Sequence, residues 1–280
     1  MNKPQWIVIG SVLALVIALY AFTSKQIFGT HLKPVEAGTP ESKVITVDSI
    51  LHHAKEKLTD DQVNRLAFLE NSITRGDVTD QKIHIYHQLA KFWEDTARAF
   101  EPFAWYTAES ARLVNSENSL TFAAHLFLDN LRAEGNPALK QWKALQAKDL
   151  FERSLKVNPA NDSSAVGLGA VTIFGGLGSP MEGIQKLRKV VDEHPDNLYA
   201  QMTLGHASVL SGQLDKAIER FEKANQLKPD NLEAILSLAD VYERNGDKTS
   251  AVAWYKKSLP HINIPGLKLE VEKRITELSK

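Results

Sequence analysis

The chain of 280 residues contains no cysteine. This absence excludes disulfide bonds, thiolate chemistry and cysteine-bearing zinc sites, and it also excludes the acylated cysteine of a bacterial lipoprotein. An excess of one charge is lacking too, because 33 basic and 34 acidic residues leave a formal net charge of −1. We therefore expect no nucleic-acid partner. Hydrophobic residues make up 43% of the chain, which is typical of a folded protein rather than a disordered one.

The sequence also lacks the motifs that commonly carry catalysis or hold a cofactor. Five glycines fall within residues 167–178, but neither a G-x-G-x-x-G order nor a Gly-Lys-Ser/Thr ending is present, so we attribute them to helix packing and a turn. Two close pairs of histidines lack the spacing of a metal site and are interpreted as surface residues: His52 with His53, and His84 with His87. We predict no catalytic residue, no metal and no cofactor. The alternative is an enzyme with its site in residues 43–118.

The longest uncharged apolar run extends from Trp6 to Phe22. A helix of this length spans roughly 25 Å, close to the thickness of a hydrocarbon core, and Trp6 and Tyr20 stand where aromatic rings favour the interface. A cleaved secretory signal is the alternative, although the small residues of a good cleavage site are lacking. We predict that residues 1–24 are an uncleaved transmembrane signal anchor that contacts the lipid bilayer through residues 6–24.

Lysines flank the apolar run on both sides, with Lys3 before it and Lys25 and Lys33 after it. Charge counting is nearly balanced, but a very short basic tail is how signal anchors begin. We expect the amino terminus in the cytoplasm and the large domain in the periplasm or another extracytoplasmic space, on the inner membrane if the organism is bacterial. Residues 25–47 carry glycine and proline among polar residues, which predicts a flexible tether.

A short string recurs in the second half of the chain, as NPAN at residues 158–161, HPDN at 194–197 and KPDN at 228–231. The successive prolines are 36 and 34 residues apart. Such a period predicts an array of repeated structural units, because each unit of a repeat protein buries its apolar face against the next.

Residues 198–231 align with residues 232–265 at a shift of 34 positions, except that the proline of the second segment is displaced to Pro265. The pairs include Gly205 with Ala239, Gly212 with Gly246, Ala217 with Ala251 and Phe221 with Tyr255. Small residues in both helices of a pair let the helices approach closely, and the large aromatic residue fills the space beside them. This pattern resembles the tetratricopeptide repeat, although Gln201 and Ile235 stand where that repeat prefers tryptophan.

The resemblance implies an all-α fold, a right-handed α-solenoid of antiparallel helix pairs. We assign the repeats to residues 83–265, with approximate boundaries at 83–118, 119–161, 162–197, 198–231 and 232–265. Residues 48–82 are predicted to form an amino-terminal helical cap, in which Thr59 and Gln62 make a capping box. Residues 266–280 are predicted to form a carboxyl-terminal capping helix.

The resemblance also implies a partner-binding groove on the concave face, which the first helix of each pair lines. Its non-core positions would be Ile173, Phe174, Tyr199, Met202, His206, Leu236, Asp240, Glu243 and Arg244. For each of them a place in the core is the alternative. A carboxylate clamp for chaperone tails is not expected, because the positions that would need Lys, Asn or Arg hold Val166, Ala170, Thr203, Glu233 and Ser237.

These observations favour a single-pass membrane scaffold or adaptor that binds protein or peptide partners in the groove. Anchored bacterial proteins of similar layout assist cell-envelope assembly or cytochrome c maturation, although no C-x-x-C-H motif is present to bind haem. A self-assembling structural protein is the third alternative, since the end of one solenoid can stack on another copy.

Overall fold

The computed structural model describes residues 45–73 and 78–280. The predicted anchor at residues 1–24, and the tether up to residue 44, lie outside the described residues. Within the described residues, no helix is both long enough and apolar enough to cross a bilayer.

The described residues form helices and contain no strand, so the expected all-α fold is confirmed. The cap and the first pair comprise α1 (Val47–Lys55), α2 (Asp60–Ile73), α3 (Thr79–Lys91) and α4 (Phe100–Val114), with a π-helical turn, Phe92–Thr96, directly after α3. Four further pairs follow: α5 (Glu117–Leu131) with α6 (Pro137–Val157), α7 (Asp162–Phe174) with α8 (Pro180–Glu193), α9 (Leu198–Leu210) with α10 (Leu214–Leu227), and α11 (Leu232–Arg244) with α12 (Lys248–Ser258). A 3-10 turn, Leu259–His261, precedes the last helix, α13 (Pro265–Leu278).

Each recurring string ends in an asparagine that caps the next helix. The side-chain oxygens of Asn161, Asn197 and Asn231 accept hydrogen bonds from backbone N–H groups three residues later, at 2.9, 2.9 and 3.0 Å. Gly212 and Gly246 adopt positive φ angles of 72° and 83° two residues after the last residues of α9 and α11, where glycine ends a helix at low cost. These turns are short, so the two helices of each pair run side by side.

The ends of the array differ in detail from the expected boundaries. Helix α3 begins at Thr79, four residues before the expected start of the first repeat at residue 83. The capping box of α2 is present, because Thr59 N–H donates to Gln62 Oε1 at 2.9 Å and Gln62 N–H donates to Thr59 Oγ1 at 3.4 Å. Pro265 stands in the first turn of α13, where its missing N–H has no helical partner to lose.

Two glycines allow an aromatic ring of the neighbouring helix to lie directly on the backbone. A Cβ atom placed on Gly205 would lie 2.4 Å from Cε1 of Phe221, and one on Gly167 would lie 2.2 Å from Cζ of Phe151. Both rings are fully buried. The contact between α9 and α10 is therefore the glycine and aromatic packing that the sequence alignment predicted, and the same packing joins α6 to α7.

Lys143 of α6 is buried, with 1% of its side chain exposed. Its ammonium group lies 2.9 Å from Glu101 Oε1, 2.7 Å from Glu134 Oε2 and 5.2 Å from the centroid of the Phe100 ring. Asn130 Oδ1 accepts a further hydrogen bond from it. The lysine thus joins the first two helix pairs through charged contacts that are largely removed from water.

The Glu134 carboxylate makes the stability of this region depend on pH. Burial alone would raise its pKa, but hydrogen bonds from Lys143 and from the backbone N–H groups of Asn136 and Gly135 more than offset this effect, so the pKa is lowered below its ordinary value of 4.5. A lowered pKa contributes stability that is present at neutral pH and is lost as the pH falls through the acid range. We expect the urea midpoint of the wild type to exceed that of Glu134→Gln at pH 7 and the difference to shrink on acidification. If the two urea midpoints differ equally at pH 7 and in the acid range, the lowered pKa of Glu134 is contradicted.

Candidate functional site

A cleft of about 470 Å³ opens between the first helices of four successive pairs, and we call it the α9 cleft. Helix α9 supplies Leu198, Tyr199, Met202, Thr203 and His206. Leu128 and Asp129 come from α5, Arg132 is the residue directly after α5, Ala170 comes from α7, and Asn231 and Glu233 lie at the start of α11. Because α9 residues three and four positions apart lie on one helix face, Tyr199, Met202 and His206 all face the cleft.

The floor of the α9 cleft is apolar and closely packed. Met202 is 5% exposed, and Leu128 and Ala170 are also buried. The Tyr199 ring lies against the His125 ring, with 5.5 Å between their centroids. Burial raises the pKa of the Tyr199 hydroxyl, so this group stays protonated. In the described part of the chain the hydroxyl has no hydrogen-bond partner.

Charged groups surround this floor. His206 Nε2 lies 3.1 Å from Glu233 Oε1, and this hydrogen bond lowers the pKa of Glu233 despite partial burial. The Arg132 guanidinium lies 4.4 Å from the centroid of the Phe174 ring. Among the described residues, Asp129 and Arg132 form no ion pair with each other or with a third residue. The rim therefore offers charges of both signs.

Asn231 adds an amide donor to the cleft. Its oxygen caps α11, but its Nδ2 group has no acceptor among the described residues. The equivalent amides are both occupied: Asn161 Nδ2 donates to Thr121 Oγ1 at 3.0 Å, and Asn197 Nδ2 donates to Asp162 Oδ2 at 3.1 Å. The asparagine at the cleft is thus the one of these three whose amide is available to a peptide carbonyl.

Behind the cleft, His125 is held by neutral contacts. Its Nε2 lies 3.0 Å from Ser163 Oγ, and its ring meets Phe151 edge to face. Burial lowers the pKa of His125, and nearby Asp129 opposes this shift only in part. The imidazole is therefore uncharged at neutral pH and serves as packing for Tyr199.

The sequence-predicted groove residues fall in three places. Tyr199, Met202 and His206 line the α9 cleft together. Phe174 is partly exposed, and the Arg132 guanidinium lies over its ring. Ile173 does not line the α9 cleft: it is 6% exposed and packs in the core beside α8, which was the alternative for this residue, and Gly183 lets that helix approach its side chain.

The remaining predicted residues lie farther along α11. Leu236 and Asp240 line a second cleft of about 470 Å³, which α13 closes on its other side. Glu243 accepts hydrogen bonds from Arg274 Nε at 3.0 Å and from the Tyr255 hydroxyl at 3.1 Å, so it attaches α13. Arg244 Nε pairs with Asp240 Oδ2 at 2.8 Å.

Sequence reasoning missed the α5 side of the α9 cleft. Asp129, Arg132 and Leu128 belong to a helix pair with no recurring proline string before it and no Leu-Gly mark in its first helix. The period of the later repeats, extended towards the amino terminus, would have placed α5 beside α7. The structure shows these two helices in contact.

The positions tested for a carboxylate clamp are placed in and beside the α9 cleft. Ala170, Thr203 and Glu233 line it, whereas Val166 is buried in the core and Ser237 is partly exposed. The absence of a clamp therefore stays a prediction that follows from residue type.

The histidines considered as metal ligands make other contacts. His52 and His53 both approach the carboxylate of Glu56, at 3.7 and 3.0 Å. His84 Nε2 lies 2.9 Å from Gln88 Nε2, and His87 Nε2 lies 2.8 Å from Ser110 Oγ. Within the described ranges, no three His, Cys, Asp or Glu side chains are grouped so that they could hold a metal ion.

Residues 208–261 match the family model of the tetratricopeptide repeat, which spans the end of α9 through the 3-10 turn. The chain is 26% identical over 195 residues to the cellulose synthase operon protein C of Escherichia coli K12. The alignment covers 66% of this chain but 16% of that protein, so the chain spans about a sixth of its relative's length.

Solved structures resemble the chain at low sequence identity. PilW, described as a widely conserved type IV pilus biogenesis factor, has 17% identity and a TM-score of 0.52, and the match covers 70% of this chain and 85% of PilW. MamA from Desulfovibrio magneticus RS-1 has 23% identity and a TM-score of 0.45, with 66% and 96% covered. The PilW match shows a shared fold. The chain is therefore an all-α protein built of tetratricopeptide-like helical repeats, with a tetratricopeptide repeat matched directly at residues 208–261.

Proposed function

We propose that this chain is a membrane-anchored, non-catalytic scaffold whose α9 cleft binds a segment of a partner protein. One observation carries this proposal: an apolar floor is surrounded by polar groups that have no partner within the described protein. The Tyr199 hydroxyl, the Asn231 amide and the Asp129 carboxylate are the main examples. Such a combination of apolar contact and a few converging polar groups is characteristic of ligand sites.

The partner segment extends from the α9 cleft toward the second cleft. Glu233, Leu236 and Asp240 lie three and four positions apart on α11, so one helix face connects the two clefts. An extended peptide or an amphipathic helix with an apolar residue over Met202 satisfies this surface. Acidic and basic residues on either side of that anchor would pair with Arg132 and Asp129.

The membrane attachment rests on the apolar run from Trp6 to Phe22, whose length matches a hydrocarbon core. We place the amino terminus in the cytoplasm and the repeat domain outside it, on the inner membrane of a bacterium. The role is recruitment of partners during assembly of the cell envelope or of a protein complex, with cytochrome c maturation as the alternative pathway. Fusion of a reporter enzyme after residue 280 tests the orientation.

Reversing charges at the cleft rim is expected to remove the partner. Asp129 and Glu233 are exposed, so Asp129→Lys/Glu233→Lys changes the rim without changing the core. Met202 is less suitable, because a charge at this buried position would destabilise the helix pair. Affinity capture of the full chain from crosslinked membranes, followed by mass spectrometry, should recover a distinct partner set from the wild type and about tenfold less of it from the variant.

The matched control reverses two exposed carboxylates elsewhere, Glu193→Lys/Glu272→Lys. It changes the net charge equally and should recover the same partners as the wild type. If the control loses the partners too, recovery depends on overall charge. If neither variant loses them, the α9 cleft is not the binding site.

A further inference from the structure

A third cleft, of about 590 Å³, lies away from the other two at the amino-terminal end of the helical array, and we call it the N-terminal cleft. It opens between α1, the turn before α4 and the start of α6. Ile50, Ala54 and Leu58 form its α1 side, while Phe100 and Leu139 form the opposite side. All five side chains are partly exposed, so the cleft has an open apolar floor. Its volume is that of a typical ligand pocket.

The rim of the N-terminal cleft carries an excess of available positive charge. Lys57 and Arg98 are exposed, and in the described part of the chain neither forms an ion pair. His53 is already paired with Glu56 at 3.0 Å. Glu101 also lines the cleft, but Lys143 pairs with its carboxylate at 2.9 Å. The two cations that remain favour a ligand with negative charge.

The backbone at Arg98 gives a second reason to regard this cleft as functional. Arg98 has φ of 51°, in the left-handed region, at the end of the π-helical turn. The following residue, Ala99, donates its N–H to Trp93 O at 2.9 Å. This hydrogen bond closes the turn in the same way as at the end of an α-helix, where the left-handed residue is usually glycine. The other non-glycine residue with positive φ in the described ranges is Asn115, a type that tolerates this region.

An arginine at this position costs stability that glycine would not, and its side chain lies on the cleft rim. A strained residue at a cleft supports a functional hypothesis for that residue. We propose that the N-terminal cleft binds an acidic linear segment of a partner protein through one apolar side chain on its floor and carboxylates paired with Lys57 and Arg98. This interaction is separate from the α9 cleft and does not depend on it.

Fluorescence anisotropy with the full chain in detergent tests this proposal. The probe is a fluorescein-labelled peptide DELFDE, with KKLFKK and DESSDE as controls for charge and for the apolar side chains. We expect DELFDE to bind most tightly and its affinity to fall with added salt. Lys57→Glu/Arg98→Glu should weaken binding at least about tenfold, because two attractive contacts become repulsive.

Arg98→Gly separates binding from folding. It relieves the left-handed strain, so the melting temperature should be unchanged or higher, while the affinity for DELFDE falls about threefold through loss of one rim charge. Asp129→Lys/Glu233→Lys should leave the affinity unchanged, since it alters the other cleft. The proposal is overturned if DELFDE does not bind more tightly than both controls, if the Lys57 and Arg98 variants bind it as the wild type does, or if the α9 cleft variant weakens it equally.

Discussion

Gly205→Val is expected to lower the free energy of unfolding by about 3 kcal/mol, near the upper end of the usual range for overpacked cores. The Phe221 ring lies where the first atom of any side chain would stand, at 2.4 Å from a Cβ, and the ring is fully buried and cannot turn away into solvent. Valine adds two further methyl groups at that point. Helices α9 and α10 must therefore separate or lose their register.

Urea unfolding and hydrogen exchange of the full chain measure this effect. Because contacts in a repeat array are mainly between neighbours, protection should be lost first in α9 and α10. Gly266→Val is the matched control, since a Cβ on that helical glycine would meet nothing within 4 Å. Gly205→Val/Phe221→Leu should recover part of the loss. Equal midpoints for Gly205→Val and Gly266→Val would contradict the close approach of the two helices.

Lys143→Ala is expected to cost about 3 kcal/mol, the lower end of the range for removing one partner of a buried ion pair. The lysine side chain is 1% exposed, and its removal leaves the carboxylates of Glu101 and Glu134 without the cation that they share. The lower end applies because Glu101 is 27% exposed and keeps part of its hydration. The measurement is the shift of the urea midpoint at pH 7.

Two controls separate charge burial from simple loss of volume. Lys148→Ala, on the same helix, removes an exposed lysine that lies 3.8 Å from Glu152, and it should cost well under 1 kcal/mol. Lys143→Met with Glu101→Gln and Glu134→Gln replaces the charged cluster by neutral groups, and it should be much more stable than Lys143→Ala. If the triple variant is less stable than Lys143→Ala, unpaired buried charge does not cause the destabilisation of Lys143→Ala.

The fold of the later repeats could be predicted because its causes are local. An asparagine cap, a glycine turn and a small residue opposite an aromatic ring each leave a mark in the sequence at a fixed spacing, as at Asn197, Gly212 and Phe221. No recurring proline string precedes either of the first two pairs, so their helices are predicted from periodicity alone, and the π-helical turn at Phe92–Thr96 is not predicted.

The candidate site could be predicted only in part because a cleft is a property of several helices together. The α9 residues were found from the repeat period, whereas Asp129 and Arg132 come into the cleft through the packing of α5 on α7. Ile173 has the sequence position of a groove residue, but Gly183 allows α8 to pack against its side chain. Lys143 would be assigned to the surface by residue type alone, because lysine is rarely buried without partners from other helices.

The capping asparagines also link each repeat to the one before it. The amide of Asn161 reaches back to Thr121 on α5, and the amide of Asn197 reaches back to Asp162 on α7, whereas the amide of Asn231 has no acceptor among the described residues. Other side chains join α11 to the repeat before it, because Glu233 Oε1 lies 3.1 Å from His206 Nε2 and the Tyr242 hydroxyl donates to Glu222 Oε1 at 2.9 Å. The last pair therefore stays attached to the array without a contact from its capping amide.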